Sequence, residues 1–150
     1  MIYLSAHFTL DEMTISEWAT RHGISNVPTS DEVIANLHTL AEGLERVRRV
    51  LDNHPIQIRS AYRAPKVNAG VGGARNSQHM DGLAADIICP TFGTPELIAE
   101  TIADHEDMVG FDQLISEGAW CHVSFSDNPR GEILTAHFGP GGVAYSRGLA

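Results

Sequence analysis

Cysteine is nearly absent: Cys89 and Cys121 are the chain's two. A disulfide framework is thereby excluded; one bridge is open to the pair, but two free, buried thiols are expected. Long hydrophobic runs are missing as well. No stretch approaches the ~20 apolar residues that span a bilayer, so membrane insertion is not expected. Positive charge is scarce, with 10 Lys and Arg against 19 Asp and Glu and a net charge of −9. Such a balance argues against a surface built to neutralise phosphates, and no nucleic-acid partner is expected. The basic cluster Arg46, Arg48 and Arg49 reads as the solvated side of a helix. The glycines at 70, 72 and 73 lack the Lys-Ser/Thr ending of a phosphate loop. Residues Met1 to Phe8 lack a basic region followed by an apolar run and a small-residue cleavage site. No secretory signal is therefore visible, and synthesis in the cytoplasm is expected.

What remains is ordinary for one globular domain: 150 residues, 43% hydrophobic and 19% charged, with no internal repeat. Thr9-Leu10-Asp11-Glu12 and Thr29-Ser30-Asp31-Glu32 match the capping box, in which a hydroxyl and a glutamate three residues on satisfy each other's helix-end amides. The first predicts a helix from about Leu10 to His22, stopped by Gly23. The second opens a helix whose seam Val33, Leu37, Leu40, Leu44, Val47 and Leu51 lies on one face. A third starts at Thr94-Pro95-Glu96, with proline at the first helical position, and ends near His105.

Strands are predicted at Ile56 to Ser60, Leu83 to Cys89, Phe111 to Glu117 and Trp120 to Ser126. Gly118-Ala119 between the last two suits a two-residue hairpin turn, which sets Glu117 opposite Trp120 with His122 on the same face. Lys66 to Gln78 reads as loop. Residues 1–138 are expected to form the domain and 139–150 a Gly-rich, loosely ordered tail. The fold class is α+β, a small antiparallel sheet with the N-terminal helices packed against it.

His79, Asp86 and His122 supply two imidazoles and a carboxylate, the ligands a catalytic zinc ion uses while keeping a fourth position for water. Strand alternation sets Asp86 opposite the apolar Leu83, Ala85 and Ile87, and His122 opposite Cys121, Val123 and Phe125. Cys121 is thus expected in the core and not as a ligand. His79 and His122 are two of 8 histidines, so spacing alone leaves an ordinary structural role open. His7, His22, His38, His54, His105 and His137 have no motif partner, and surface or capping roles are expected. Asp104, Glu106 and Asp107 read as a solvated helix end.

The pattern Ser77-x-His79-x-x-Gly82-x-Ala84-x-Asp86, followed by Trp120-x-His122, resembles the zinc D-alanyl-D-alanine carboxypeptidases and related phage endolysins. His7-Phe8, Ser60 to Pro65, Val71-Gly72-Gly73, Phe111 to Ile115 and His122 to Phe125 are similar to the branch often labelled the carboxypeptidase C-terminal domain. The likeness extends from about Leu4 to Ala136. It implies that His79, Asp86 and His122 ligate one zinc ion and that the chain hydrolyses peptide bonds of peptidoglycan stem peptides. Many relatives carry an acid three residues before the last histidine ligand, where this chain has Ala119. Glu117 is the expected general base, against a plain turn carboxylate, with Asp112 next in order. Arg63 matches an arginine that contacts substrate or the developing oxyanion, a role suited to a planar, always charged donor. Ser77 either bonds substrate or orders the loop before His79. Trp120 either walls the cleft or is a hairpin aromatic.

The expected function is a zinc-activated-water metallopeptidase, either a D,D-carboxypeptidase or an endopeptidase, acting on the cell wall as a monomer. Phage or prophage origin, with release at lysis, would suit a chain lacking a signal and a separate wall-binding repeat. The alternative is a zinc-containing cell-wall or phage structural binding module without turnover; a purely structural domain is the third reading.

Overall fold

The computed structural model describes residues 1–149. Thr9 Oγ1 accepts from the Glu12 amide at 3.2 Å, and the Glu12 carboxylate accepts from the Thr9 amide at 3.1 Å, so the capping box opens α1 (Leu10–Thr14). The expected run to His22 is interrupted. Ile15 is extended, and Ser16 caps a separate α2 (Glu17–His22), which ends at Gly23 with φ +63°. Local hydrogen bonds favour the break: Ser16 Oγ accepts from the Ala19 amide at 3.1 Å, and Asn26 satisfies the freed Thr14 carbonyl at 2.9 Å.

Ser30, not Thr29, caps α3 (Asp31–Val50), accepting from the Glu32 and Val33 amides. Its Leu37, Leu40, Leu44 and Val47 are completely buried, followed by Leu51. A Cβ at Gly43 would stand 2.5 Å from the Phe125 ring, so glycine lets that ring rest directly on the helix backbone. The chain then forms β1 (Gln57–Ser60), α4 (Pro65–Gly70), α5 (Gln78–Asp81) and β2 (Ala84–Ile88). The segment expected to be loop thus carries two short helices. At six and four residues they are too short to display helical periodicity in the sequence, and contacts elsewhere hold them. Thr94 caps α6 (Pro95–Asp104) as expected, and α7 (Glu106–Val109) adds one turn.

The hairpin β3 (Gln113–Ser116) to β4 (Cys121–Ser124) turns at Gly118, φ +79°, with the Glu117 amide donating to the Trp120 carbonyl at 3.1 Å. Beyond it, β5 (Glu132–Gly139) and β6 (Gly142–Arg147) form a second hairpin where a loosely ordered tail was expected. All of β6 is exposed, so no apolar alternation announces it; cross-strand pairing from Gly139↔Gly142 to Leu134↔Arg147 holds it. Ala150 lies outside the described residues.

The strand order is β1-β2-β4-β3-β5-β6, antiparallel except for the parallel pair β3 and β5. One face presents Ala85, Ile87, Leu114, Cys121 and Val123 to the core with α3 and α6; Cys89 and Cys121 are free and buried. The other face presents Asp86, His122 and Ile115 in one row. No helix among the described residues is long and apolar enough to cross a membrane.

Glu45 of α3 ties down the N-terminal segment, accepting from Ser5 Oγ at 2.6 Å and from the His7 amide and ring Nδ1 at 2.7 Å each. Burial opposes its ionisation, but the Ser5 and His7 hydrogen bonds prevail and hold its pKa below the ordinary glutamate value. The stabilisation is therefore complete above the unfolded-state pKa of about 4.3 and is lost as pH falls through the lower folded value. Glu45→Gln is expected to cost about 1–2 kcal/mol at neutral pH, with the gap to wild type closing towards pH 3. Urea unfolding at both pH values checks this; a gap of equal size at each assigns the effect to packing.

Candidate metal centre

Ser77 Oγ accepts from the His79 amide at 3.1 Å and starts α5, and Gly82, at φ +76°, stops it after one turn and feeds the chain into β2. A Cβ at Gly82 would lie 3.1 Å from the Val33 carbonyl of α3, so the bend also needs glycine for space. Of the two roles open to Ser77, the hydrogen bond is that of a cap ordering the approach to His79. Across the sheet, Asp86 of β2 pairs directly with His122 of β4.

Asp86 Oδ1 lies 3.3 Å from His79 Nε2 and 3.0 Å from His122 Nδ1. Ligand atoms of the three residues all fall within 4.8 Å of one another. His79 and Asp86 are buried, at 3% and 5% exposure. His79 Nδ1 stands 2.6 Å from the Ala61 carbonyl, which can only accept, so Nδ1 carries the proton and Nε2 presents its lone pair to the centre. That buried Nε2 has no hydrogen-bond partner among the described residues. A lone pair facing a carboxylate oxygen across 3.3 Å is an unsatisfied arrangement that a cation between them relieves. Two nitrogens and one carboxylate oxygen fit a zinc-type donor set with a further position open.

Burial works against the charge on Asp86, but the hydrogen bond that His122 Nδ1 donates outweighs it and holds the carboxyl well below the usual range. It is therefore already ionised, as a ligand must be, at neutral pH. Its second oxygen, Oδ2, accepts from Arg63 Nη2 at 3.2 Å. Arg63 Nε also donates to Ser60 Oγ and its Nη1 to Asn68 Oδ1, both at 3.1 Å. The arginine expected to face substrate thus directs three of its bonds to the protein while it borders the cleft. A side chain at Gly73 would collide with Asn68 and Arg63, which accounts for glycine there.

Glu117 is half-buried on the metal face, where Trp120 Nε1 donates to its Oε2 at 2.5 Å. Burial, and then the Asp86 charge, raise its pKa. Asp112, the other acid considered as a base, is engaged elsewhere. It accepts from Arg130 Nη2 at 2.8 Å, the Arg130 amide at 2.9 Å and Gln78 Nε2 at 3.1 Å. Those bonds, Arg130 first, hold its pKa low and make it an anchor between β3 and α5. The acidic cluster near Asp104 and the six other histidines contribute nothing to the centre.

The centre opens into a cleft of about 1160 Å³ that Arg63, Ser77, Glu117 and Trp120 border. Its wall also includes residues for which the sequence offered no motif: Trp18 of α2, Leu134 and Phe138 of β5, and Tyr145 of β6. Tyr145 carries no sequence signal because β6 has no buried face.

A His-Asp-His centre at the base of an open cleft, on a mostly antiparallel sheet, is the arrangement of a metallopeptidase. The chain belongs to the peptidase M15 family, whose model matches residues 6–124. It is also similar to the zinc D-Ala-D-Ala carboxypeptidase of Streptomyces albus G, with 33% identity over 75 residues. That alignment covers 50% of this chain and 28% of the relative. The family match ends at Ser124, before β5 and β6.

Arg63→Met is expected to destabilise the metal-free protein by about 3 kcal/mol, because it strips a buried carboxylate of its fixed cation. Urea unfolding in the presence of a chelator measures it; an unchanged midpoint would mean that His122 alone sustains the Asp86 charge.

Proposed function

We propose that the protein is a zinc peptidase hydrolysing peptide bonds of peptidoglycan stem peptides, as a D,D-carboxypeptidase or an endopeptidase. The observation that carries this reading is the convergence of His79 Nε2, Asp86 Oδ1 and His122 Nδ1 on one point of a cleft, in a chain of the M15 family. Similarity to the Streptomyces D-Ala-D-Ala carboxypeptidase supports the D-alanyl part of it. These three side chains would hold the ion. Zinc in such a donor set polarises a scissile carbonyl and makes water acidic enough to attack near neutral pH.

The chain's own groups do the rest. Ala61 fixes the His79 tautomer, and Arg63 fixes the free oxygen of Asp86, so neither ligand must reorient. The N–H groups that Arg63 does not spend on protein oxygens are available to a substrate carbonyl at the cleft wall. Glu117 takes the proton of the attacking water and returns one to the leaving amine. The Trp120 indole pins one of its carboxyl oxygens, which leaves the other for proton exchange. The Trp120 ring itself forms a flat wall against which a short D-amino-acid side chain can lie. A protein acting on such a substrate works at the bacterial cell wall.

Metal analysis after purification without chelators is expected to find one zinc per chain, lost in His79→Ala and in His122→Ala. Full activity in both variants, or in excess chelator, would end the metal mechanism. Glu117→Gln is expected to keep zinc while kcat falls about 10²-fold or more; unchanged turnover would move the base elsewhere. Mass spectrometry of digested peptidoglycan identifies the severed bond. Zinc and peptide affinity without released fragments would instead favour a binding module.

A further inference from the structure

The metal face of the sheet continues past the family-matched residues into the second hairpin. Register sets Asp86, His122, Ile115, Leu134 and Arg147 in one row across five strands. Residues two apart on a strand share a face, so the adjoining row runs Trp120, Glu117, Ala136, Tyr145. Tyr145 therefore stands two strands from Glu117, about 10 Å along the row, with only the methyl group of Ala136 between them. A phenol can lean across that gap towards the centre; a larger side chain at 136 would block it. Tyr145 borders the same cleft as Glu117, Trp120 and His122.

Its hydroxyl is uncommitted. Among donors at the cleft wall, Trp120 Nε1 is engaged with Glu117 and Gln113 Nε2 with Glu132, and Arg63 keeps only the N–H groups that Asp86, Ser60 and Asn68 leave. Tyr145 makes no hydrogen bond through its hydroxyl to another described residue, and it is 51% exposed. A bound peptide brings carbonyl oxygens that require donors, and a tyrosine at a wet apolar wall supplies one on a rigid side chain.

We propose that Tyr145 is a substrate-binding residue of this cleft, its hydroxyl donating a hydrogen bond to a peptide carbonyl oxygen that flanks the bond to be cut. The assignment rests on the peptidase reading above. It also explains what the β5–β6 hairpin contributes, a substrate wall that the family-matched segment lacks. Burial and the carboxylates of Glu117 and Asp86 raise the pKa of the phenol, in keeping with a group that sits within the field of the centre and remains a donor.

The test compares Tyr145→Phe with wild type on an N-acylated peptide ending in D-Ala-D-Ala, after thermal melting and zinc content have verified that the variant is folded and loaded. KM is expected to rise about five- to twentyfold with kcat within a factor of two, the pattern of lost ground-state binding. The same substitution in zinc-loaded Glu117→Gln, titrated calorimetrically with that peptide, should weaken Kd by a similar factor whether or not wild type turns over. Equal Kd and equal KM overturn the Tyr145 assignment alone, as does a loss confined to kcat. A wild-type protein that neither cleaves nor binds the peptide, and releases no fragments from peptidoglycan, overturns the peptidase reading beneath it.

Discussion

Asp86 carries its charge inside the protein, and keeping it there is the constraint on which the rest of the site depends. Desolvating a carboxylate costs several kcal/mol even after relaxation, yet Asp86 is only 5% exposed. Three groups close on it: His122 at 3.0 Å and Arg63 at 3.2 Å donate to the carboxylate, and His79 Nε2 at 3.3 Å completes the donor set. Each partner arrives on a different element, β4, the segment after β1 and α5. Satisfying one side chain therefore fixes the relative placement of three parts of the chain.

Those parts are in turn laced to one another by hydrogen bonds outside the candidate ligand atoms. The Arg63 amide donates to the His79 carbonyl at 3.0 Å, while the Ala61 carbonyl accepts from the His79 ring. Gln78, next to His79, bonds to Asp112, which Arg130 clasps from the loop before β5. Asn68 receives Arg63 and reaches on to the Ala74 carbonyl at 2.8 Å. A candidate donor set tied to its surroundings in this way needs little reorganisation to receive a cation.

Much of this was legible in the sequence, and the legible parts share a physical property. The caps at Thr9 and Thr94, the seam of α3 and the turn at Gly118 are written within a few adjacent residues, because helix ends and hairpin turns are closed by local hydrogen bonds. The break at Ile15, the short helices α4 and α5 and the exposed strand β6 were not legible. The first is decided by Ser16 and Asn26 competing with helix continuation, the others by contacts with distant segments. At α3 the hydroxyl of Ser30, one residue closer to the helix, takes the cap that the Thr29–Glu32 spacing predicts for Thr29.

By itself the sequence determined which residues can meet: period-two alternation put Asp86 and His122 on one face of their strands and Cys121 on the other, whatever the register. Only the tertiary structure decided what they do there. Pairing Asp86 with His122 across β2 and β4, fixing the His79 tautomer on Ala61, turning Arg63 onto Asp86 and locking Asp112 against Arg130 all join residues 18 or more apart in the chain. Such contacts depend on strand register and on burial, which exist only once the sheet has closed over its core.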